Sequence, residues 1–274
     1  MRVLVTGGSG RVGYFVVERL LAAGHDVANL DIRHPSRPVR GLATLTGDVS
    51  HMEDAFGAVS YVKAEALVHL AAWNDPGHVA DSRTYADNVS GTFNILNVCA
   101  AVGIKRAIVA SSAQVYGFAE LSPVYAKVDE DHPLRPLNSY ALSKICNEQT
   151  AAYFAKRYDM EIASFRIMAA RAPDDLDAEV AALAAAPEKG RFLLWNRTDA
   201  RDIARACQLA LEVPSLKSGP YNITAKKNAL RLKGEDLLRN YCPETRIVTP
   251  IENDDSILSC QRAWEEFGYR AEYR

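Results

Sequence analysis

No run in the 274-residue chain approaches the roughly 20 apolar positions that a helix needs to span a bilayer. The opening MRVLVTGG passes straight into an apolar strand, without the charged start, apolar stretch and cleavage site of a secretory leader. Cysteine is sparse. The five present, Cys99, Cys146, Cys207, Cys242 and Cys260, are odd in number and never spaced C-x-x-C. That pattern argues against a disulfide framework or a cysteine metal site and for buried thiols in a reducing compartment. The expected location is cytoplasmic, and no metal is expected. An excess of either charge is also missing. The 32 Lys and Arg face 34 Asp and Glu, so the chain offers no general attraction to nucleic acid or anionic membrane. Repeats and low-complexity linkers are absent. With 48% apolar residues, the length suits one large α/β domain, or a main domain with a smaller appendage.

Short β-rich runs alternate with helical patterns over the first two-thirds of the chain. The runs 2–6, 25–31, 42–47, 64–72, 105–112 and 161–167 read as strands. Helical patterns cover 11–23, 81–102 and 139–158. Strands apolar on both faces and joined by helices predict a Rossmann-like, doubly wound parallel sheet. After Arg171 the pattern loosens. An alanine-rich helix fits between Pro173 and Pro187, and 201–212 is amphipathic with Ile203, Cys207 and Leu211 on one face. Short strands YNIT and RIVT alternate with helices near 230–240 and 256–266. The expected division is a nucleotide-binding domain over 1–170 and a small, integrated α/β cap over 171–274. Within 81–102, Phe93, Ile95, Leu96 and Val98 point in four directions, so this helix is covered on more than one side. The cover is either the C-terminal segment or a second copy of the chain, and a homodimer is the preferred reading.

The segment VTGGSGRVG follows the first strand and opens the first helix. Gly7, Gly10 and Gly13 make a tight turn, with Arg11 and Val12 inside it, where the N–H groups of a helix start can bind a pyrophosphate. Asp31 ends the second strand, 18 residues after Gly13, where an acid accepts the ribose hydroxyls of NAD. Its charge disfavours a 2′-phosphate. Arg33 and Arg37 follow closely and admit three readings: a preference for NADP, adenine stacking, or plain surface charge.

The stretch LNSYALSK puts Tyr140 one helical turn before Lys144. With 12 tyrosines, chance alone supplies about half a Tyr-x-x-x-Lys per chain, so the pair needs context. That context is SSAQVYG, Ser111 to Gly117, at the C-terminal end of the fifth strand, where ligands of open α/β sheets bind. Oxidising a secondary alcohol requires a base for the O–H proton while a hydride leaves carbon for nicotinamide. Tyr140 as phenolate is the candidate base. A neighbouring cation, Lys144, favours its charged form.

Taken in order, TGGSGRVG, Asp31, GDVS, HLAA (69–72), NVSGTFNIL, SSAQVYG and YALSK resemble the extended short-chain dehydrogenase/reductase family of epimerases, dehydratases and dehydrogenases. The resemblance covers residues 1 to about 170. It implies that Asp48 and Val49 flank the adenine, that Leu70, Ala71 and Ala72 line the middle of the cofactor, and that Asn88 belongs to the cofactor site. It also makes Ser112, Tyr140 and Lys144 the catalytic set, with Lys144 on the nicotinamide ribose and Ser112 on the substrate oxygen. Ser111 reads as a strand-end or cofactor contact.

Departures from the family pattern narrow the reaction. The dehydratases carry an Asp-Glu pair after the catalytic hydroxyl, whereas Ala113 and Gln114 stand here and neither transfers protons well. The epimerases' Arg…Asn…Gly-Pro stretch is replaced by FRIMAARAPDD. The short tail is closer to uronate dehydrogenases, which oxidise free sugar acids at C1. On the substrate side stand Asn74, Ser112, Ala113 and Arg171, the last either a bidentate contact to a carboxylate or a surface arginine. Trp73 could wall the pocket. Arg197 and Arg201 either face an anionic substrate or pair with Asp199 and Asp202, and His69 reads as a satisfied strand-end histidine. The expected activity is NAD-dependent oxidation of a sugar or sugar acid. The alternatives are a nucleotide-sugar epimerase holding NAD tightly and a non-catalytic NAD sensor.

Overall fold

Seven strands, paired in parallel throughout, form the centre of the computed structural model, which describes residues 1–74 and 78–273. In chain order the elements begin with β1 (Arg2–Thr6), α1 (Gly13–Ala22), β2 (Asp26–Asp31), β3 (Ala43–Thr46), α2 (Met52–Val62) and β4 (Ala66–His69). They continue with α3 (Asp81–Val102), β5 (Arg106–Ser112), a 3₁₀ turn (Ala113–Tyr116), β6 (Tyr125–Ala126), α4 (Ser139–Tyr158), β7 (Glu161–Ile167) and β8 (Ala170–Arg171). The last third holds α5 (Pro173–Ala185), β9 (Thr198–Asp199), α6 (Ala200–Glu212), β10 (Gly219–Ile223), α7 (Gly234–Tyr241), β11 (Arg246–Ile247) and α8 (Gln261–Phe267).

The sheet order β10-β7-β5-β4-β1-β2-β3 reverses direction between β1 and β4. At that switch point the loops leaving the two strands splay apart and open a crevice at their carboxyl ends. Alternation explains the layers. Val3 and Val5 face α1 and α6, with Val16, Val17, Leu20, Ile203, Cys207 and Leu211. Leu4 faces the other layer, with Val59, Ile95, Leu96 and Phe154 of α2, α3 and α4. A third cluster, including Tyr116, Phe118, Trp195, Leu237 and Ile257, forms the interior of the cap.

The division at residue 170 needs one correction. The strand expected in the cap, β10, pairs with β7 and is the edge of the main sheet, and α6 packs on α1 beneath it. The cap is instead built from discontinuous pieces. Residues after β5 join those after β10, through the β6–β11 pair and the Val128–Leu258 bridge. Tyr221, Asn222 and Ile223 of β10 are all buried, the first and last against α6 and α8 and Asn222 on the other face against Tyr116 and Glu130. The helix α2 had no separate signal, because Gly57 weakens its helical pattern and only Ala55, Ala58 and Val59 are buried.

On α3, Ile95, Leu96 and Val98 are buried by the sheet layer of the same chain. The C-terminal segment does not supply the cover. Phe93 meets Phe154 of α4 edge-on yet keeps 43% of its surface exposed. Among the described residues no helix is long and apolar enough to cross a membrane.

Candidate active site

The nucleotide end grows out of the switch point. Gly7 has φ +76°, and a Cβ there would lie 2.6 Å from the Ala71 nitrogen, so the turn presses on the segment after β4. A Cβ on Gly13 would collide with the Gly7 carbonyl oxygen, and one on Gly8 with the Asn29 side chain. Gly10 is freer, its Cβ meeting only the Gly7 oxygen at 3.2 Å. Gly8 and Asn29 were not singled out from the sequence. The Gly8 N–H donates to Asn29 Oδ1 at 2.7 Å, and an asparagine in the apolar run DVANLD was the available signal. The cap residue of α1 is Val12, so no side chain satisfies the helix start, and Gly10 and Arg11 are exposed beside it. A close-approach turn with an uncapped helix start fits a pyrophosphate.

Asp31 is anchored beside this turn. Its Oδ2 accepts from the Ser9 N–H at 3.0 Å and its Oδ1 from the Arg33 N–H at 3.1 Å. The Arg33 side chain is exposed, and Arg37 lies 3.8 Å from Asp174 of α5 and over the Tyr14 ring. Asp48 Oδ1 accepts from Ser50 N–H at 2.9 Å, while Val49 fills the space that Gly91 of α3 leaves open. Leu70, Ala71 and Ala72 are partly exposed along the crevice. Asn88 binds the Trp73 N–H and carbonyl at 2.8 and 3.1 Å and donates to Ser143 Oγ at 3.1 Å. Its amide is therefore a brace between the post-β4 loop and α4. His69 is satisfied as expected. Its ring nitrogens meet Thr6 and Thr92 hydroxyls at 2.7 and 3.1 Å, and burial, with the Lys144 charge, pulls its pKa down to about 3.

At the reacting end, Asn138 caps α4 by accepting from the Ala141 N–H at 2.7 Å. The cap sets where Tyr140 and Lys144 begin. Tyr140 is 8% exposed and Lys144 2%. The Lys144 ammonium donates to the Ala110 carbonyl at 2.8 Å and lies 5.6 Å from the centre of the Tyr140 ring. Burial lowers its pKa to about 8, against the opposing charge of Glu148. Ser112 ends β5 and accepts from the Gln114 N–H at 3.2 Å, a role that leaves the hydroxyl proton for donation. Ala113 is buried in the turn just after it. Ser111 points elsewhere: its hydroxyl donates to Glu148 at 2.6 Å and is buried.

The substrate side is less uniform. Asn74 is exposed, and the Trp73 indole N–H is bound to Asp87 at 2.8 Å with Arg83 over the ring. Arg171 forms an ion pair with Glu179 of α5, and Arg197 binds the other oxygen of the same carboxylate at 2.6 Å. The pairing of Arg197 with Asp199 or Asp202 therefore does not occur. Arg201 does pair with Asp199, at 2.7 Å. A cavity of about 280 Å³ in the cap, lined by Arg197, Lys227, Asn228 and Arg231, includes none of the Tyr140 set, and Glu179, Asp254 and Asp255 compensate its cations. Among the described residues no group of His, Cys, Asp and Glu is placed to hold a metal.

Residues 3–224 match the model of the NAD dependent epimerase/dehydratase family. The chain is 34% identical over 175 residues to L-arabinose 1-dehydrogenase (NAD(P)(+)) of Haloferax volcanii, covering 61% of this chain and 66% of that protein. To UDP-glucose 4-epimerase 2 of Oryza sativa subsp. japonica it is 37% identical over 161 residues, covering 53% and 38% respectively. The chain thus spans less than two-thirds of the length of these relatives. A short-chain dehydrogenase/reductase superfamily protein from Agrobacterium tumefaciens, solved with bound NAD, superposes with a TM-score of 0.77 at 24% identity, over 100% of this chain and 93% of that one. That likeness shows the fold. The chain belongs to the NAD dependent epimerase/dehydratase family, and NAD is its cofactor.

Proposed function

We propose that this member of the family is an NAD-dependent oxidoreductase acting on a sugar or sugar-acid carbinol. The observation that carries the reading is the buried Lys144 one turn beyond Tyr140, at the end of the strand that presents Ser112. Bound NAD supplies the hydride acceptor. Tyr140 takes the proton of the carbinol as it is oxidised. The Lys144 ammonium, held on Ala110, favours the phenolate and would hold the nicotinamide ribose when NAD is bound. Ser112 donates to the substrate oxygen. Asp31 would accept the adenosine ribose hydroxyls, which favours NAD over NADP, and Gly7, Gly10, Arg11, Val12 and Gly13 would hold the pyrophosphate.

Arg171 is the proposed contact for a substrate carboxylate, with Asn74 and Ala113 beside the substrate. Arg171 is paired with Glu179 in this structure, so a sugar acid would have to exchange with that carboxylate to take a bidentate contact. Absence of an acid–base pair after Ser112 argues against loss of water. Incubation of purified protein with NAD and a panel of uronates and aldoses, followed at the NADH absorbance, is the test. No signal across the panel, together with interconversion of a nucleotide sugar by protein carrying bound NAD, would replace this reading with the epimerase one, for which the Oryza relative speaks.

The protein is also proposed to work as a homodimer. Tyr85 and Phe93 of α3 and Leu142 and Tyr153 of α4 are exposed apolar residues on two helices packed against each other. A second copy of that pair would cover them.

A further inference from the structure

One ionisable residue on the Tyr140–Lys144 face of α4 has no part in the reaction as proposed. Glu148 lies one turn beyond Lys144 and is 8% exposed. Its Oε1 accepts from Ser111 Oγ at 2.6 Å and from Arg166 Nε at 2.9 Å, and its Oε2 accepts from the same guanidinium at 2.8 Å. Arg166 is 3% exposed and sits opposite Ser111 in the β5–β7 register, so both side chains meet Glu148 from one face of the sheet. Its remaining nitrogen donates to the Tyr116 hydroxyl at 3.0 Å and the Glu130 carbonyl at 2.8 Å. Tyr116 in turn donates to Asn222 at 2.7 Å.

A buried ion pair is a poor device for stability, because an apolar pair of similar volume does as well or better. Its place in the fold suggests a different use. Lys144 donates to the carbonyl of Ala110, and Glu148 accepts from the next residue, Ser111, so two adjacent rungs tie α4 to β5. The groups facing Lys144 are few. Its own helix supplies Tyr140 and Glu148, β4 supplies the neutral His69, and β7 supplies Arg166 behind the Glu148 carboxylate. Glu148, one turn along the same helix, is thus an anion whose charge opposes the cost of burying the Lys144 ammonium.

We infer that Glu148 and Arg166 are positioning residues for the proton transfer: the pair fixes Lys144 against Ala110 and keeps its ammonium charged inside the helix–sheet interface. Arg166 holds the carboxylate ionised and in place. Without it, Glu148 would be free to protonate or to pull Lys144 off the strand. The inference rests on the reading of Tyr140 and Lys144 as the reacting pair.

The test follows Lys144 directly, by ¹³C NMR titration of protein labelled at lysine Cε, alongside the pH profile of kcat/KM. In the wild type the Lys144 resonance is expected to titrate below the ordinary lysine range, at about 8. Glu148→Gln moves that midpoint down by about one unit or more, and the alkaline limb of kcat/KM moves with it. Because Glu148→Gln leaves the buried Arg166 without its anion, a second variant guards against loss of the fold. The double variant Glu148→Gln/Arg166→Met removes both charges, folds as an apolar replacement can, and shifts the midpoint downward by less. Ser111→Ala, which keeps the charge, leaves the midpoint within about 0.3 units. A pair that is merely structural would lower the melting temperature and leave the Lys144 midpoint unmoved, and that result in either folded Glu148 variant overturns the inference. A shifted resonance with an unchanged kcat/KM profile would instead count against Lys144 as a reacting group.

Discussion

Lys144 reaches back across the helix–sheet interface to the Ala110 carbonyl at 2.8 Å, with the ring of Tyr140 centred 5.6 Å from its ammonium. The contact does two things together. It satisfies a charge that burial would otherwise leave without a partner, and it sets that charge beside the phenol whose ionised form the proposed reaction requires. Asn138 fixes the start of the helix, and Glu148 and Ser111 fix the next rung.

Tyr140→Phe removes the proton acceptor and leaves the nucleotide end untouched. Turnover should fall by about 10²–10⁴-fold, while the dissociation constant for NAD stays within about twofold of wild type. Steady-state kinetics with calorimetric titration of NAD checks both. Comparable turnover in the variant would remove Tyr140 from the mechanism.

Burial of neutral His69 leaves a signature in acid. Its folded pKa, near 3, is below the unfolded value of 6.5, so between those limits the unfolded state binds the extra proton and stability rises with pH. As pH falls through that window the loss approaches about 1.4 kcal/mol per unit. Asp202 acts in the opposite sense. Its pKa is raised from 3.8 to about 6 by burial, so the stability linked to it is lost as pH rises through that range. Denaturant unfolding of wild type and His69→Gln between pH 4 and 7 (about the window that the two pKa values define) separates the two. The two slopes oppose each other in the wild type, so its stability should rise with pH relative to that of His69→Gln, by up to about 1.4 kcal/mol per unit, and parallel curves would show that His69 carries no such linkage.

Asp31→Ala should raise the Michaelis constant for NAD by roughly tenfold or more and that for NADP by much less, because it removes an anion that binds two hydroxyls and repels a phosphate. Equal effects on the two cofactors would assign the discrimination to Arg33 or Arg37.

The glycine turn offers a graded comparison. A Cβ on Gly13 would strike the Gly7 carbonyl, whereas one on Gly10 meets the same oxygen at 3.2 Å. Gly13→Ala should therefore weaken NAD binding by at least about tenfold, and Gly10→Ala by much less. Fluorescence titration of both variants decides it, and equal losses would mean that the cofactor, not the turn, sets the requirement.

If two chains cover the α3–α4 face, Tyr153→Glu and Leu142→Glu should each place a charge in that interface and give a monomer in sedimentation velocity. The exposed Phe56 of α2, changed to Glu, serves as the control and should leave assembly unchanged. A wild-type monomer at micromolar concentration ends the proposal.

Much of the nucleotide end was legible because its signals are local. Glycine spacing, an acid closing the second strand and a helix opening directly after the turn all lie within 31 residues. Asn29 and Gly8 escaped notice because their requirement is a contact between neighbouring segments. Glu148 was nearer to hand, since it continues the Tyr140 and Lys144 spacing by one more turn. Its meaning depended on Arg166, and nothing in EIASFRI says which partner an arginine in a buried strand will find.

The sequence by itself determined the parallel α/β sheet, the turn that admits a dinucleotide and the helical spacing that puts Tyr140 and Lys144 on one face, since each follows from periodicity or from backbone sterics over a few residues. Only the tertiary structure decided that β10 belongs to the sheet and not to the cap, that Ser111 turns to Glu148 while Ser112 caps the next turn, and that Arg171 and Arg197 share one carboxylate. Those outcomes depend on which segments distant in the chain come together to bury polar groups, and a buried charge takes whichever partner the packing brings within reach.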